Sequence, residues 1–214
     1  MNLVALIDYG SGNVHSAAGA LTEAARRADL AIEIAVTDDL ATIASADRII
    51  LPGVGHYADC ADNLRARPGL VDTLETAVLD KKIPFLGICV GMQLLADFGL
   101  EDGETRGLGW IHGVVDRIRP GPGLRVPHVG WNELAIPRPH ALLSGLGDQP
   151  HAYFTHSYAF APEDMADIAA TTEYGTPFTS AVARDNIFGT QFHPEMSQRV
   201  GLRLLANFLQ WTPE

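Results

Sequence analysis

Short apolar runs recur along the first half of the chain, each closed by glycine, proline or aspartate. Segments with a helical period lie between them. Leu3 to Ile7 is the first run and ends at Asp8. After the glycine-rich turn from Asp8 to Asn13, Val14 to Ala28 carries alanines and Leu21 and closes on Arg26 and Arg27. That predicts a helix with cations at the end where the dipole favours them. Ala31 to Val36 alternates and predicts a second strand. Arg48 to Leu51 predicts a third, running into Pro52-Gly53-Val54-Gly55. Tyr57 to Leu64 is helix-like, Leu64 to Leu79 includes a long helix, and Pro84 to Ile88 reads as a short buried strand. Gly91 to Ala96 then starts another helix. Strands alternating with helices predict an α/β fold with a mainly parallel central sheet, helices on its faces and right-handed crossovers. Ligands of such sheets sit at the carboxyl ends of the strands, where Asp8, Gly53 and Cys89 all fall.

The pattern changes after Phe98. Glu101 to Gly109 reads as a loop. The runs that follow are short and broken by turns: Gly113 to Ile118, Gly123 to Val129, Ala152 to Ala159, Phe178 to Ala183 and Ile187 to Phe192. They predict an additional antiparallel or mixed strand region. Ser197 to Trp211 closes the chain as a helix, with Val200, Leu204, Leu205, Phe208 and Leu209 on one face. With no repeat, low-complexity tract or linker, residues 1–214 are expected to form a single domain.

Composition narrows the function. The chain is 47% hydrophobic and 19% charged, as expected of a packed enzyme-like globule. A net charge of −11 argues against nucleic acid or an anionic membrane as partner, because both need a positive face. Two cysteines make no disulfide framework, and no Cys/His spacing suits zinc. The N-terminus turns acidic too soon for a signal peptide, and no apolar run reaches membrane-spanning length. A cytoplasmic, reduced setting is expected, with no metal and no cofactor. Gly10 and Gly12 do not complete Gly-x-Gly-x-x-Gly, since His15 takes the third place, and no P-loop lysine follows.

The chemistry centres on Gly87-Ile88-Cys89-Val90-Gly91, a thiol version of the Gly-x-Ser-x-Gly nucleophile elbow. A sharp strand-to-helix turn holds the nucleophile in a strained conformation, and the glycines make room for it. The following helix is expected to point its amino end at the sulfur, stabilising a thiolate and later an oxyanion. A cysteine at a strand end is more often a small buried hydrophobe. Cys60, in a helix-like stretch without an elbow, is read that way. Cys89 therefore needs a base. Gly189 to Ser197 contains His193-Pro194-Glu195. In extended chain, residues two apart share a side, so Glu195 can hold one ring nitrogen of His193 and leave the other for the thiol. A loop histidine beside a surface glutamate is the bland alternative. The other histidines show no ligand spacing.

Gly87 to Gln93 together with Phe192-His193-Pro194-Glu195 resembles the class I (triad) glutamine amidotransferases. Within that family four further stretches, from Asp8 to Asn13, Pro52 to Gly55, Pro127 to Asn132 and Tyr153 to Tyr158, are similar to the branch that serves as glutaminase subunit of imidazole glycerol phosphate synthases. The likeness runs through essentially the whole chain, in order. It implies a flavodoxin-like amidotransferase fold and hydrolysis of L-glutamine through a Cys89 thioester, with His193 as base and Glu195 as its orienter. It implies an oxyanion hole from the Val90 N–H and that of Val54 or Gly55, where flanking glycines let a peptide turn over. It also implies glutamine binding by Gln93, Glu101, Ser157 and Tyr158. Ammonia would pass to a (βα)8-barrel cyclase subunit docked on Asn13, Trp131 and Tyr153. Its products would be imidazole glycerol phosphate and AICAR, in histidine biosynthesis. Met196 stands where the family commonly has a partner-facing lysine. A glutaminase of another pathway, such as pyridoxal phosphate synthesis, or a free-standing class I amidase, is the enzymatic alternative. A non-catalytic binding subunit is the alternative of another class.

Overall fold

The computed structural model describes residues 2–213. The chain begins with β1 (Asn2–Ile7), α1 (Val14–Arg27), β2 (Ile32–Thr37), α2 (Leu40–Ala44) and β3 (Arg48–Gly53). Next come α3 (Tyr57–Arg65), α4 (Leu70–Glu75), β4 (Phe85–Cys89) and α5 (Val90–Gln93). A strand-rich insertion holds β5 (Phe98–Gly99), β6 (Thr105–Arg106), β7 (Gly113–Arg117), β8 (His128–Glu133), β9 (His151–His156) and β10 (Tyr158–Pro162). The chain ends with β11 (Ile168–Tyr174), β12 (Thr176–Arg184), β13 (Ile187–Thr190) and α6 (Gln198–Gln210).

Seven strands form the main sheet, in the order β11-β12-β13-β4-β3-β1-β2. From β13 to β2 the pairings are parallel, and β12 and β11 extend the sheet antiparallel. Four strands, β10-β7-β5-β6, and the β8-β9 hairpin form two smaller sheets. The sheet grows outward from β1 to β2, then back past β1 to β3 and β4. Right-handed crossovers therefore put α1 on one face and α2 to α4 on the other. Helix α6 packs beside α1 and buries Val200, Leu204, Leu205, Phe208 and Leu209, the face its sequence predicts. Asn13 caps α1 by accepting from the Ser16 N–H at 3.3 Å, while Glu23 pairs with Arg26 and Arg27 in the last turns.

Four expectations need correction. The Leu64 to Leu79 stretch is interrupted: Pro68 and the left-handed Gly69 (φ 79°) separate α3 from α4, and a π-helical turn at Thr76–Asp80 finishes it. Gly123 to Val129 is mostly not strand. Gly121 and Gly123 turn at φ 82° and 86°, Pro127 lacks an N–H, and pairing starts at His128. Ala152 to Ala159 is two strands that switch sheets at Ser157, since β9 pairs with β8 and β10 with β7. Helix α5 is a single turn that ends at Gln93, where Gly91 to Ala96 was expected to continue as helix.

That single turn is wedged against the sheet. A Cβ on Gly91 would lie 1.9 Å from the Leu51 carbonyl oxygen, and one on Gly87 would lie 2.5 Å from the Gly91 oxygen. Backbone meets backbone here, so neither position can yield by rotating a side chain. Gly91→Ala should destabilise the chain by about 1–3 kcal/mol or more, as overpacking of a filled core does. Gly19→Ala, where an added Cβ has no neighbour within 4 Å, should cost nothing. Urea denaturation of the two variants checks this; equal midpoints would refute it.

Candidate active site

Cys89 is the last residue of β4, paired with Gly53 at the end of β3. Its backbone sits at φ 53° and ψ −111°, a region that L-residues avoid. Such strain persists only where the surroundings enforce it, and the packed Gly87 and Gly91 supply that enforcement. The sulfur lies in a cleft of about 300 Å³ that is also lined by Val54, Gly55, Val90, Gln93, Glu101 and His193. Pro127, Thr155, His156, Ser157 and Tyr158 complete its wall.

His193 and Glu195 meet behind the sulfur. Glu195 Oε1 lies 2.8 Å from His193 Nδ1, and their side chains are 4% and 3% exposed. The expected contact is present, but extended chain does not make it. Pro194–Met196 is a turn of 3-10 helix, and the turn swings the carboxylate onto the ring. With Nδ1 engaged, Nε2 is the free nitrogen, and no described side chain hydrogen-bonds to it. Burial alone would push the imidazole down; Cys89 and Glu195 outweigh burial and hold His193 up at about 10. An imidazolium close to the sulfur favours a thiolate.

The strand switch at Ser157 is held by donors converging on the Tyr158 carbonyl. Gln93 Nε2 reaches it at 2.9 Å and His156 Nδ1 at 2.9 Å. His156 Nε2 in turn faces His128 Nδ1 at 3.0 Å. A carbonyl only accepts, so His156 carries its proton on Nδ1 and His128 donates to it. Burial keeps this pair neutral: His128 is held below its usual value, and His156 is pushed down to about 4. These histidines are not surface residues. They stack among Phe154, Tyr174 and Phe178, contacts no local spacing in the sequence announces.

Other residues singled out by sequence are placed as follows. Glu101 lines the cleft, and its Oε2 accepts from the Tyr57 N–H at 2.8 Å, capping α3. Cys60 is buried and donates its thiol proton to the Val54 carbonyl at 3.4 Å. Asn13, Trp131 and Tyr153 lie outside the cleft. Asn13 is exposed at the amino end of α1. Trp131 is 47% exposed and packs edge-on against Tyr153, with ring centroids 6.0 Å apart. Tyr153 is zipped to the His193 segment: the His193 N–H donates to its carbonyl at 3.0 Å, and its own N–H donates to Ser197 Oγ at 2.9 Å. Sequence reasoning missed Gln191, whose Nε2 lies 3.7 Å from Cys89 Sγ. The helix expected to point its amino end at the sulfur is the single turn α5, which offers its free N–H groups there. Among the described residues no group suits a metal, and no helix is long and apolar enough to cross a membrane.

The profile described as Glutamine amidotransferase class-I matches residues 5–211. The chain is 53% identical over 214 residues to "Imidazole glycerol phosphate synthase subunit HisH" of Caulobacter vibrioides, covering 100% of both chains. It is 54% identical over 212 residues to the protein of the same description from Rhodospirillum rubrum, covering 98% of this chain and 99% of that one. Among solved structures, one described as glutamine amidotransferase superposes with a TM-score of 0.71 at 20% identity, covering 97% of each chain. A glutamine amidotransferase from Thermotoga maritima gives 0.66 at 17% identity, covering 98% and 96%. These two likenesses speak for the fold.

The neutral histidine pair makes a pH prediction. The folded value of His156, about 4, lies below its ordinary 6.5. The unfolded chain therefore takes up this proton first on acidification. The stability this residue contributes is complete above about pH 6.5 and is lost as pH falls through about 4. The His156 ring resonances should stay those of the neutral Nδ1–H tautomer down to about pH 4. Titration near 6.5 by NMR would refute the assignment.

Proposed function

We propose a function from one premise: the chain belongs to the class I glutamine amidotransferase family. It is the glutaminase subunit of an imidazole glycerol phosphate synthase, acting in histidine biosynthesis as one amidotransferase domain over residues 1–214. It hydrolyses L-glutamine to glutamate and ammonia and supplies the ammonia to a cyclase subunit. The observation that carries this reading is the strained Cys89 sharing one cleft with a His193 whose other nitrogen is held by a buried glutamate.

The Cys89 thiolate attacks the side-chain amide carbon of glutamine. Negative charge moves to the amide oxygen, where the Val90 N–H and that of Val54 or Gly55 receive it. His193 protonates the departing nitrogen, the C–N bond breaks, and ammonia leaves a γ-glutamyl thioester. Water then attacks the thioester. His193 takes its proton and glutamate is released. Glu195 keeps the His193 Nδ1 proton in place, so Nε2 is the working nitrogen throughout. Gln93 and Glu101 flank the substrate, Glu101 meeting its ammonium. Backbone groups of Ser157 and Tyr158 meet its carboxylate.

The chemistry of the acceptor needs a second protein, and the surface beside the cleft suits one. Val54, Val129, Trp131 and Met196 are exposed apolar side chains. Trp131 and Tyr153 sit on the hairpin zipped to His193, and Asn13 stands at the same carboxyl edge of the sheet as Cys89. A (βα)8-barrel cyclase docks here. At Met196 the contact is apolar rather than an ion pair.

Two measurements test the reading. In the complex, Cys89→Ala should abolish glutamine-dependent synthesis and leave synthesis from added ammonia intact. Loss of both would overturn the division of labour. Glu195→Gln should lower glutaminase kcat/KM by roughly 10- to 100-fold less than His193→Ala, because an orienter contributes less than the base. Equal losses in folded variants would overturn the roles.

A further inference from the structure

Gln191 has no part in the mechanism above, yet its side chain reaches the reacting sulfur. It is fully buried, just beyond β13 on the way to His193. Its backbone N–H donates to the Ser180 carbonyl at 2.9 Å, which fixes the main chain. Its side-chain Oε1 accepts from Gln93 Nε2 at 3.0 Å, and its Nε2 lies 3.7 Å from Cys89 Sγ.

The orientation of that amide follows from hydrogen-bond polarity. The Tyr158 carbonyl can only accept, so the Gln93 atom that meets it at 2.9 Å must be the nitrogen. The same Gln93 nitrogen faces Gln191 at 3.0 Å, so the Gln191 atom there must be the oxygen. The other end of the Gln191 amide, the end at the sulfur, is then the NH2 group. Turning either amide over would set donor against donor or acceptor against acceptor in a buried site, where an unmatched polar group is costly. One backbone carbonyl thus dictates, through two glutamines, that an N–H is aimed at Sγ.

We propose that Gln191 is a catalytic residue that donates a side-chain N–H to Cys89 Sγ and holds it as a thiolate aimed into the cleft. This rests on the glutaminase reading of Cys89. The donor acts on the sulfur side of the reaction, while the oxyanion N–H groups act on the substrate's oxygen. It stabilises the charge before attack and again when the thioester is cleaved and the thiolate departs. A neutral amide suits the place: it favours the anion without supplying a second acid to compete with His193.

The test reads Cys89 directly. Iodoacetamide alkylation of the full chain is followed against pH, scored on the Cys89 peptide by mass spectrometry so that Cys60 does not contribute. Gln191→Met keeps the volume and removes the donor. Its alkylation profile should move to higher pH by about one unit, so the rate near neutrality falls about tenfold, the worth of one charge-assisted hydrogen bond. Glutaminase kcat in the complex should fall by at least as much. A second measurement needs no change at position 191. In the unaltered chain one Gln191 side-chain N–H resonance should shift as the Cys89 sulfur titrates, and Cys89→Ala should abolish that response. An unmoved alkylation profile in a folded Gln191→Met variant, or a Gln191 resonance indifferent to the sulfur, would overturn the proposal. Absence of glutamine turnover in the unaltered complex would instead overturn the glutaminase reading, leaving the alkylation result to stand by itself.

Discussion

The close approach of Gly91 to the Leu51 carbonyl is the constraint from which the site follows. It lets the chain leave β4, reverse within one turn and stay pressed on β3. Cys89, caught between the strand and that turn, must take its left-handed backbone. The same approach explains Gly53, where a Cβ would lie 2.7 Å from the Gly91 nitrogen. Three glycines, one on each of two strands and one on the helical turn, thus serve one side chain that has no slack. Because β3 and β4 are also the centre of the sheet, strain at Cys89 is resisted by the best-buried part of the molecule.

Around this fixed sulfur the remaining groups come from distant parts of the chain. β13 pairs with β4 and delivers Gln191 and His193 to the same edge. The insertion delivers Ser157 and Tyr158 by changing sheets in mid-course. Its hairpin then returns to bind the His193 main chain through Tyr153 and Ser197. His193 is therefore positioned from two sides: Glu195 fixes its ring, and the hairpin fixes its backbone. Any partner that presses on Trp131 and Tyr153 presses on a strand bonded directly to His193.

Much of this was legible in the residues. The elbow could be read because its glycines are local: the pattern Gly87-Cys89-Gly91 names a turn that few other sequences permit. His193 and Glu195 could be read for the same reason, although a 3-10 turn rather than extended chain joins them. The parallel core was legible in alternating apolar runs. The insertion was less so, because its strands obey contacts across sheets. Nothing near Ser157 announces that a continuous run will change partners there. Ile168 to Tyr174 pairs with β12 although it was not singled out as a strand. Gln191 was hidden for a different reason: a buried glutamine two residues before His193 has no spacing signal, and only the polarity of Gln93 and Tyr158 shows what it faces. The histidines His128 and His156 likewise looked like unrelated residues until opposing strands placed one ring against the other.

The Tyr158 carbonyl has one more consequence, for proton traffic. Two chains of polar groups end on it, one through His128 and His156 and one through Gln191 and Gln93. Relay of a proton along such a chain requires each member to accept on one side and release on the other. A peptide carbonyl receives hydrogen bonds and has nothing to release, so both chains are blind alleys. His156, in the wall of the cleft, and His128 next to it therefore offer no path for a proton beyond that carbonyl.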